Sequence, residues 1–179
     1  MGIMIKTTII ETPLGEMAAA ATKYGICLLE FREKARSTPE FDKLTLIFNT
    51  EIRHGTNRHL RNLRKQLKEY FKGKRKEFSV PLAYQGTEFQ KSVWESLLNI
   101  PYGKTVSYMD QAGSINKPRA ARAVANANGS NPVAIVIPCH RVIGSDGDLT
   151  GYGGGLERKR WLIDHEKKHS GQPVDGTLF

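Results

Sequence analysis

Apolar positions change their spacing along this chain, and the change divides it. The stretches IMIKTTIIET (3–12), EMAAAATK (16–23) and ICLLEF (26–31) are short, apolar or β-branched runs. Pro13-Leu14-Gly15 and Tyr24-Gly25 separate them, so a three-stranded antiparallel meander is expected over the first 31 residues. Residues 32–55 are polar and irregular apart from LTLIF, and they predict no definite element. From Thr56 the spacing becomes helical, with Leu60, Leu63, Leu67, Tyr70 and Phe71 on one face and Gly73 as a stop. EFSVPLAYQG reads as a strand and linker, which puts a domain boundary near Gln85.

The second part is mostly helical. Thr87-x-x-Gln90 is a capping box ahead of Phe89, Val93, Trp94 and Leu97. Ser107 with Asp110 caps a short helix from Tyr108 to about Gly113, and Pro118 suits the first position of another that ends at Gly129. Two short helices joined by a tight turn have the outline of a helix-turn-helix. Val133–Ile137 predicts a buried strand that Pro138 stops, and LERKRWLIDHE a last helix. The expected fold is therefore α/β in the α+β sense. An N-terminal antiparallel sheet unit with a helix occupies 1–85, a mostly helical unit 86–170, and a loosely held tail 171–179.

Composition narrows the function. The 179 residues are 39% hydrophobic and 25% charged, an ordinary globular balance. No apolar run approaches the roughly 20 residues that span a bilayer, and the first residues lack the layout of a signal peptide, so a cytoplasmic protein away from membranes is expected. A formal net charge of +9 suits a polyanion, DNA or RNA. Arg58, Arg61, Arg64, Lys65 and Lys68 decorate the first long helix either as a DNA-contacting face or as a solvated surface. The second helix of the helix-turn-helix is built from Ala120, Ala121, Ala123, Ala125 and Ala127, with Arg119 and Arg122 as its long polar side chains. So narrow a helix suits close approach in a shallow groove, or else simple packing.

Two cysteines, Cys27 and Cys139, form no metal or disulfide pattern, and no metal or other cofactor is expected. Cys139 follows Pro138 and precedes His140 and Arg141. A thiol, with a free pKa of about 8.5, attacks only as thiolate and needs a base or a cation nearby. A histidine base in turn wants a carboxylate, and the last helix offers Asp164 and Glu166. GYGGG (151–155) has backbone amides that a substrate can approach closely. On this reading alone Cys139 is either a nucleophile or a buried core residue.

IPCHRVIG with SNP and AARAV upstream, TGYGGG downstream and HE near the end resembles the O6-alkylguanine-DNA alkyltransferase family. The likeness is dense from Gly86 to Glu166, includes GTEFQ and IPYGKTVSY, and is looser over 1–85, where a ribonuclease-H-like unit is implied. It implies direct reversal of DNA alkylation: one alkyl group passes from O6 of a flipped-out guanine, or O4 of thymine, to the protein's own cysteine, once per molecule. The partner is then double-stranded DNA, met in the minor groove by a monomer.

The resemblance makes Cys139 the acceptor, His140 the base acting through a water, and Glu166 the group that orients it. Tyr108 protonates the leaving guanine, and Asn131 ties the helix-turn-helix to the active-site loop. Arg122 enters the duplex where the base leaves; Ala121, Ala123 and Ser107 join it and Tyr108 at DNA. Asn128, Val142, Tyr152 and Gly153 shape the base pocket. The chain departs from the pattern at three positions: Gly153 where some members have serine, Asn128 where some have methionine, and Gln111 in place of an apolar residue. Two rivals belong to other classes: a helix-turn-helix protein that binds alkylated bases without transfer, and a cysteine hydrolase.

Overall fold

The structure, a computed structural model, describes residues 3–32 and 39–171, without the side chains of Pro39 and Glu40. The three expected strands form as β1 (Ile5–Thr12), β2 (Gly15–Ala21) and β3 (Ile26–Phe31), antiparallel with Ile10 opposite Met17 and Ala19 opposite Leu29. The segment left unassigned contains α1 (Pro39–Phe48) and β4 (Ile52–His54). β4 pairs in parallel with β1, Ile5 opposite Ile52, so the sheet order is β3-β2-β1-β4 and the sheet is not wholly antiparallel. A parallel neighbour requires a crossover, and the chain around α1 supplies it.

Both faces of the sheet are covered, which explains the alanine run of β2. Ala19 and Ala21 face the main core; Ala18 and Ala20 face a smaller cluster with Cys27, Leu28 and Leu44 of α1. α2 (Arg58–Phe71) lies on the main-core face and packs on β1 and β2. Asn57 caps it by accepting the Leu60 N–H at 3.0 Å, and Gly73, at φ +72°, ends it. The same core continues past Gln85 through Trp94, Val124, Val133, Ile137 and Leu162. Sheet and helices therefore share one interior.

α3 (Glu88–Leu97) starts at the expected capping box, as does α4 (Tyr108–Ser114) at Ser107 and Asp110. α5 (Ala121–Gly129) begins later than Pro118 suggested. The Ala120 N–H bonds the Lys117 carbonyl at 2.9 Å, closing a turn with Pro118 at its second position, where the fixed φ of proline serves equally well. α6 (Leu156–His169) ends the described fold, and the expected tail beyond Gly171 lies outside the described residues. Among the described residues no helix is long and apolar enough to cross a membrane.

Val133–Ile137 is not the expected strand. It reverses tightly, the Ile137 N–H bonding the Val133 carbonyl at 2.9 Å, with Ile135 at φ +70°. A β-branched residue there costs on the order of 1–3 kcal/mol. The free edge of β3 holds it in place: Leu29 N–H bonds Pro132 O at 2.8 Å, and Ala134 N–H bonds Leu29 O at 2.9 Å. EFSVPLAYQG adds only one bridge, Leu82 to Ile26, on the same edge. The reversal is apolar because it is buried, and burial alone does not distinguish a strand from a turn.

Candidate active site

Cys139, His140 and Arg141 form one 3-10 turn directly after the reversal, with the Cys139 N–H bonded to Ile137 O at 2.9 Å. β6 (Val142–Ile143) follows and pairs in parallel with β5 (Val106–Ser107), Ser107 opposite Ile143. Ser107 caps α4, so this short ladder fixes Tyr108 relative to the cysteine turn.

Glu166 is the best-supplied group of the site. Its Oε1 accepts from His140 Nε2 at 2.7 Å, Tyr70 OH at 2.8 Å and Arg141 Nη2 at 3.0 Å. Its Oε2 accepts from Arg141 Nε at 2.8 Å and the Gly103 amide at 3.2 Å. Desolvation opposes the charge, but His140 and the Arg141 guanidinium prevail and hold the carboxyl well below the usual range. Asp164, the other candidate, is exposed. Because Nε2–H donates to Glu166, Nδ1 carries the lone pair, and Nδ1 has no protein partner among the described residues. Burial outweighs the carboxylate and lowers the His140 pKa, so the ring rests neutral and can accept a proton.

Burial raises the Cys139 thiol, against smaller lowering effects of Asn131 and Lys159. The resting group is thus a thiol that needs a base. Asn131 ties the end of α5 to the reversal: its Nδ2 donates to Ile137 O at 2.7 Å and its Oδ1 accepts the Val133 N–H at 3.0 Å. Cys27 is buried on the other sheet face, its thiol pushed up to about 12 by desolvation.

Tyr108 OH donates to Thr150 O at 2.8 Å and accepts from Lys159 Nζ at 3.3 Å. Lys159 Nζ also donates to Thr150 O at 2.9 Å and Gly151 O at 3.3 Å. Its side chain is buried, and desolvation lowers its pKa to about 8. A cavity of about 240 Å³ opens beside Cys139, lined also by Asn128, Asn131, Gly153 and Gly154, with Phe31 and Lys43 from the sheet unit. Gly154 must be bare, because a Cβ would stand 2.7 Å from the Phe31 ring. Val142 does not line the cavity; it is fully buried in β6. Tyr152 packs behind Gly154 with its hydroxyl buried.

Two departures from the family pattern answer each other. Asn128 Nδ2 donates to Gln111 Oε1 at 2.7 Å, and Gln111 Nε2 donates to Asn128 Oδ1 at 3.1 Å. This buried amide pair clasps α4 to α5, so each polar side chain satisfies the other. On the outer face of α5, Arg122 and Ala123 are exposed and Ala121 is half-buried.

Tyr70, Gly103 and Lys159 were not among the expected site residues. Tyr70 shares the helical spacing of Leu60, Leu63 and Leu67, which marks it as core and gives no sign of its hydroxyl's role. Lys159 carries a legible signal, since 159, 162, 163 and 166 share one face of α6.

Residues 5–84 match the family described as 6-O-methylguanine DNA methyltransferase, ribonuclease-like domain, and 88–168 its DNA binding domain. A methylated-DNA–protein-cysteine methyltransferase of Methanosarcina barkeri is 45% identical over 90% of this chain and 96% of its own. Its counterpart in Mycobacterium tuberculosis is 57% identical over 64% of this chain and 68% of its own. The crystal structure of M. tuberculosis OGT in complex with DNA superposes with a TM-score of 0.78 at 41% identity, covering 93% of this chain and 94% of that one. The fold, the cysteine turn with its histidine–glutamate pair and these likenesses agree: the chain belongs to the methylated-DNA–protein-cysteine methyltransferase family.

Proposed function

We propose that Cys139 takes the alkyl group from O6-alkylguanine in double-stranded DNA, once per molecule, with the residues above in the roles the resemblance implies. The observation that carries this is the His140–Glu166 pair, which leaves a neutral imidazole with Nδ1 unprotonated next in sequence to the thiol.

In the reaction the Cys139 proton passes through a water to Nδ1, and Glu166 stabilises the imidazolium. Sulfur attacks the alkyl carbon, a C–S bond forms and the C–O6 bond breaks. The guanine anion takes a proton from the Tyr108 hydroxyl, which Lys159 can replenish across 3.3 Å. The product is a thioether that no group here reverses.

The target atom lies inside the base stack, so the nucleotide must leave the duplex. Arg122, exposed on a helix of small residues, fits the space it vacates from the minor groove. The 240 Å³ cavity is below the roughly 300 Å³ at which drug-sized pockets begin, and it suits one base. One chain contains every group named, which supports action as a monomer.

Mass spectrometry after incubation with O6-methylguanine duplex tests the reading. A methyl increment on the Cys139 peptide, absent in Cys139→Ser, is expected. An unmodified peptide with intact lesions would instead assign binding without transfer. Arg122→Ala should slow repair of duplex at least tenfold, as the few kcal/mol of unstacking is no longer offset, while sparing reaction with free O6-benzylguanine.

A further inference from the structure

The positive charge of this protein is not where its lesion-binding helix is. Between Asn57 and Lys76 the chain has nine lysines and arginines against one acid, Glu69, a net +8 out of the chain's +9. Residues 88–168, which match the DNA binding domain, have eleven basic against eight acidic residues, a net +3. Of those eleven, Arg141 and Lys159 are buried in the active site.

α2 concentrates this charge on a line. Its buried residues, among them Leu60, Leu63, Leu67 and Tyr70, face the core. Arg58, Arg61, Lys65, Lys68 and the C-capping Lys72 follow at intervals of three and four, and all are exposed. That spacing places them in one stripe opposite the buried face. No ion pair engages any of the five among the described residues, and Glu69 pairs with Arg75 instead.

A surface helix shaped only for solubility gains from alternating charges. This one has like charges as successive neighbours, each of which destabilises the helix. Its first turn carries Arg58 and no acid, against the helix dipole. Both features weaken the free protein, and a polyanion laid along the stripe relieves both.

We propose that this face of α2 is a second docking surface, for the phosphate backbone of duplex DNA outside the lesion site gripped by α5. Fourteen residues at 1.5 Å make a helix of about 21 Å, the length of about six phosphates along one strand. The exposed positions of α2 are all polar, so the helix lacks the apolar face that an anionic membrane would need. The choice of DNA among polyanions rests on the alkyltransferase reading. The stripe supplies sequence-independent affinity, and the small-sided α5, with Arg122 as its single charge, handles the lesion.

The test uses the full chain with Arg58→Gln, Arg61→Gln, Lys65→Gln and Lys68→Gln combined. Binding to an undamaged duplex of about 40 base pairs is measured over a range of KCl concentrations. Four phosphate contacts at about 0.9 each predict that the slope of log affinity against log salt falls by about 3.6, with affinity near 0.1 M salt dropping at least tenfold. Arg58→Lys with Arg61→Lys, which keeps all the charge, should leave the slope near that of the parent.

Reaction of the glutamine variant with free O6-benzylguanine should match the parent, showing that it folds and that Cys139 is intact. A slope change below about 1 overturns the proposal. So does a variant that binds DNA normally but loses binding to single-stranded RNA or anionic vesicles. Failure of the parent protein itself to react with O6-benzylguanine would strike the alkyltransferase reading instead, and the DNA slopes would still decide the role of the stripe.

Discussion

Glu166 and Tyr108 belong to the candidate active site and are built in opposite ways. Glu166 is fully buried and accepts five hydrogen bonds from four residues, contributed by α2, the Pro101–Gly103 turn and the cysteine turn. Tyr108 is half-buried, with one carbonyl acceptor and one donor at 3.3 Å, beside a loop of glycines. The carboxylate keeps its charge throughout the proposed reaction, so fixing it in advance avoids reorganisation at the moment of transfer. The phenol must exchange a proton with a base that arrives and leaves, so its contacts are few and replaceable. A charge-holding group gains from saturation; a proton-passing one would be disabled by it.

The largest effect is expected from Glu166→Gln. It removes the charge that stabilises the imidazolium and leaves Arg141 buried without a counter-ion. Single-turnover transfer should fall about 10²–10⁴-fold, the usual worth of a positioned base. Urea unfolding should show a loss of about 3–5 kcal/mol. The native carboxylate's pKa is depressed, so its contribution is present above the ordinary carboxylate range and disappears only as pH falls towards the depressed value. The acid-unfolding curve of the variant should lack that component; an unchanged curve would mean the cluster is not charge-bearing.

On the open side, Lys159 loses its proton as pH rises through about 8. Below that value the ammonium can recharge Tyr108 and favour the Cys139 thiolate; above it both effects are lost. The single-turnover rate should therefore decline on an alkaline limb with its midpoint near 8. In Lys159→Met the limb should vanish and the plateau rate should be lower. A wild-type profile flat from pH 7 to about 9 would remove Lys159 from the proton route.

Tyr70→Phe separates the two regions more finely, since it deletes one donor from the saturated centre and nothing from the open edge. A stability loss of about 1–2 kcal/mol is expected. With Glu166 less neutralised, the pKa of His140 should rise, moving the acid limb of the pH–rate profile upward. A purely structural tyrosine would change stability without moving that limb.

The smallest effect on the reaction itself concerns the clasp between α4 and α5, which reads out in stability. Gln111→Leu leaves the Asn128 amide unpaired and should cost about 1–3 kcal/mol; Asn128→Met should cost less, because Gln111 Nε2 keeps Ser96 Oγ at 3.1 Å and only its Oε1 is stranded. Combined, they should recover most of that, because an apolar pair replaces a satisfied polar one. Additive losses would show that the two amides act independently.

Much of this was legible in the residues. The meander, the two capping boxes and the spacing of Leu60, Leu63 and Leu67 follow from local chemistry, and the structure keeps them. The order around Cys139 carried the family likeness. Errors fell where one local rule served two outcomes. Pro118 fits the second position of a turn as well as the first of a helix. The apolar run Val133–Ile137 is buried as a reversal, which periodicity cannot separate from a strand.

By itself the sequence determined the elements whose signals are local, the excess of positive charge on α2, and the cysteine–histidine pair as candidate chemistry. Only the tertiary structure brought Tyr70 from 96 residues away onto the carboxylate and placed the Lys159 ammonium beside Tyr108; for Glu166, which the family likeness had already named, it added the physical reason, burial against an exposed Asp164. It also joined Gln111 to Asn128, turning two departures into one interaction. The reason is physical: capping and periodicity act over a few residues. The donors and acceptors of a buried site are matched across the fold, where desolvation makes each missing partner costly.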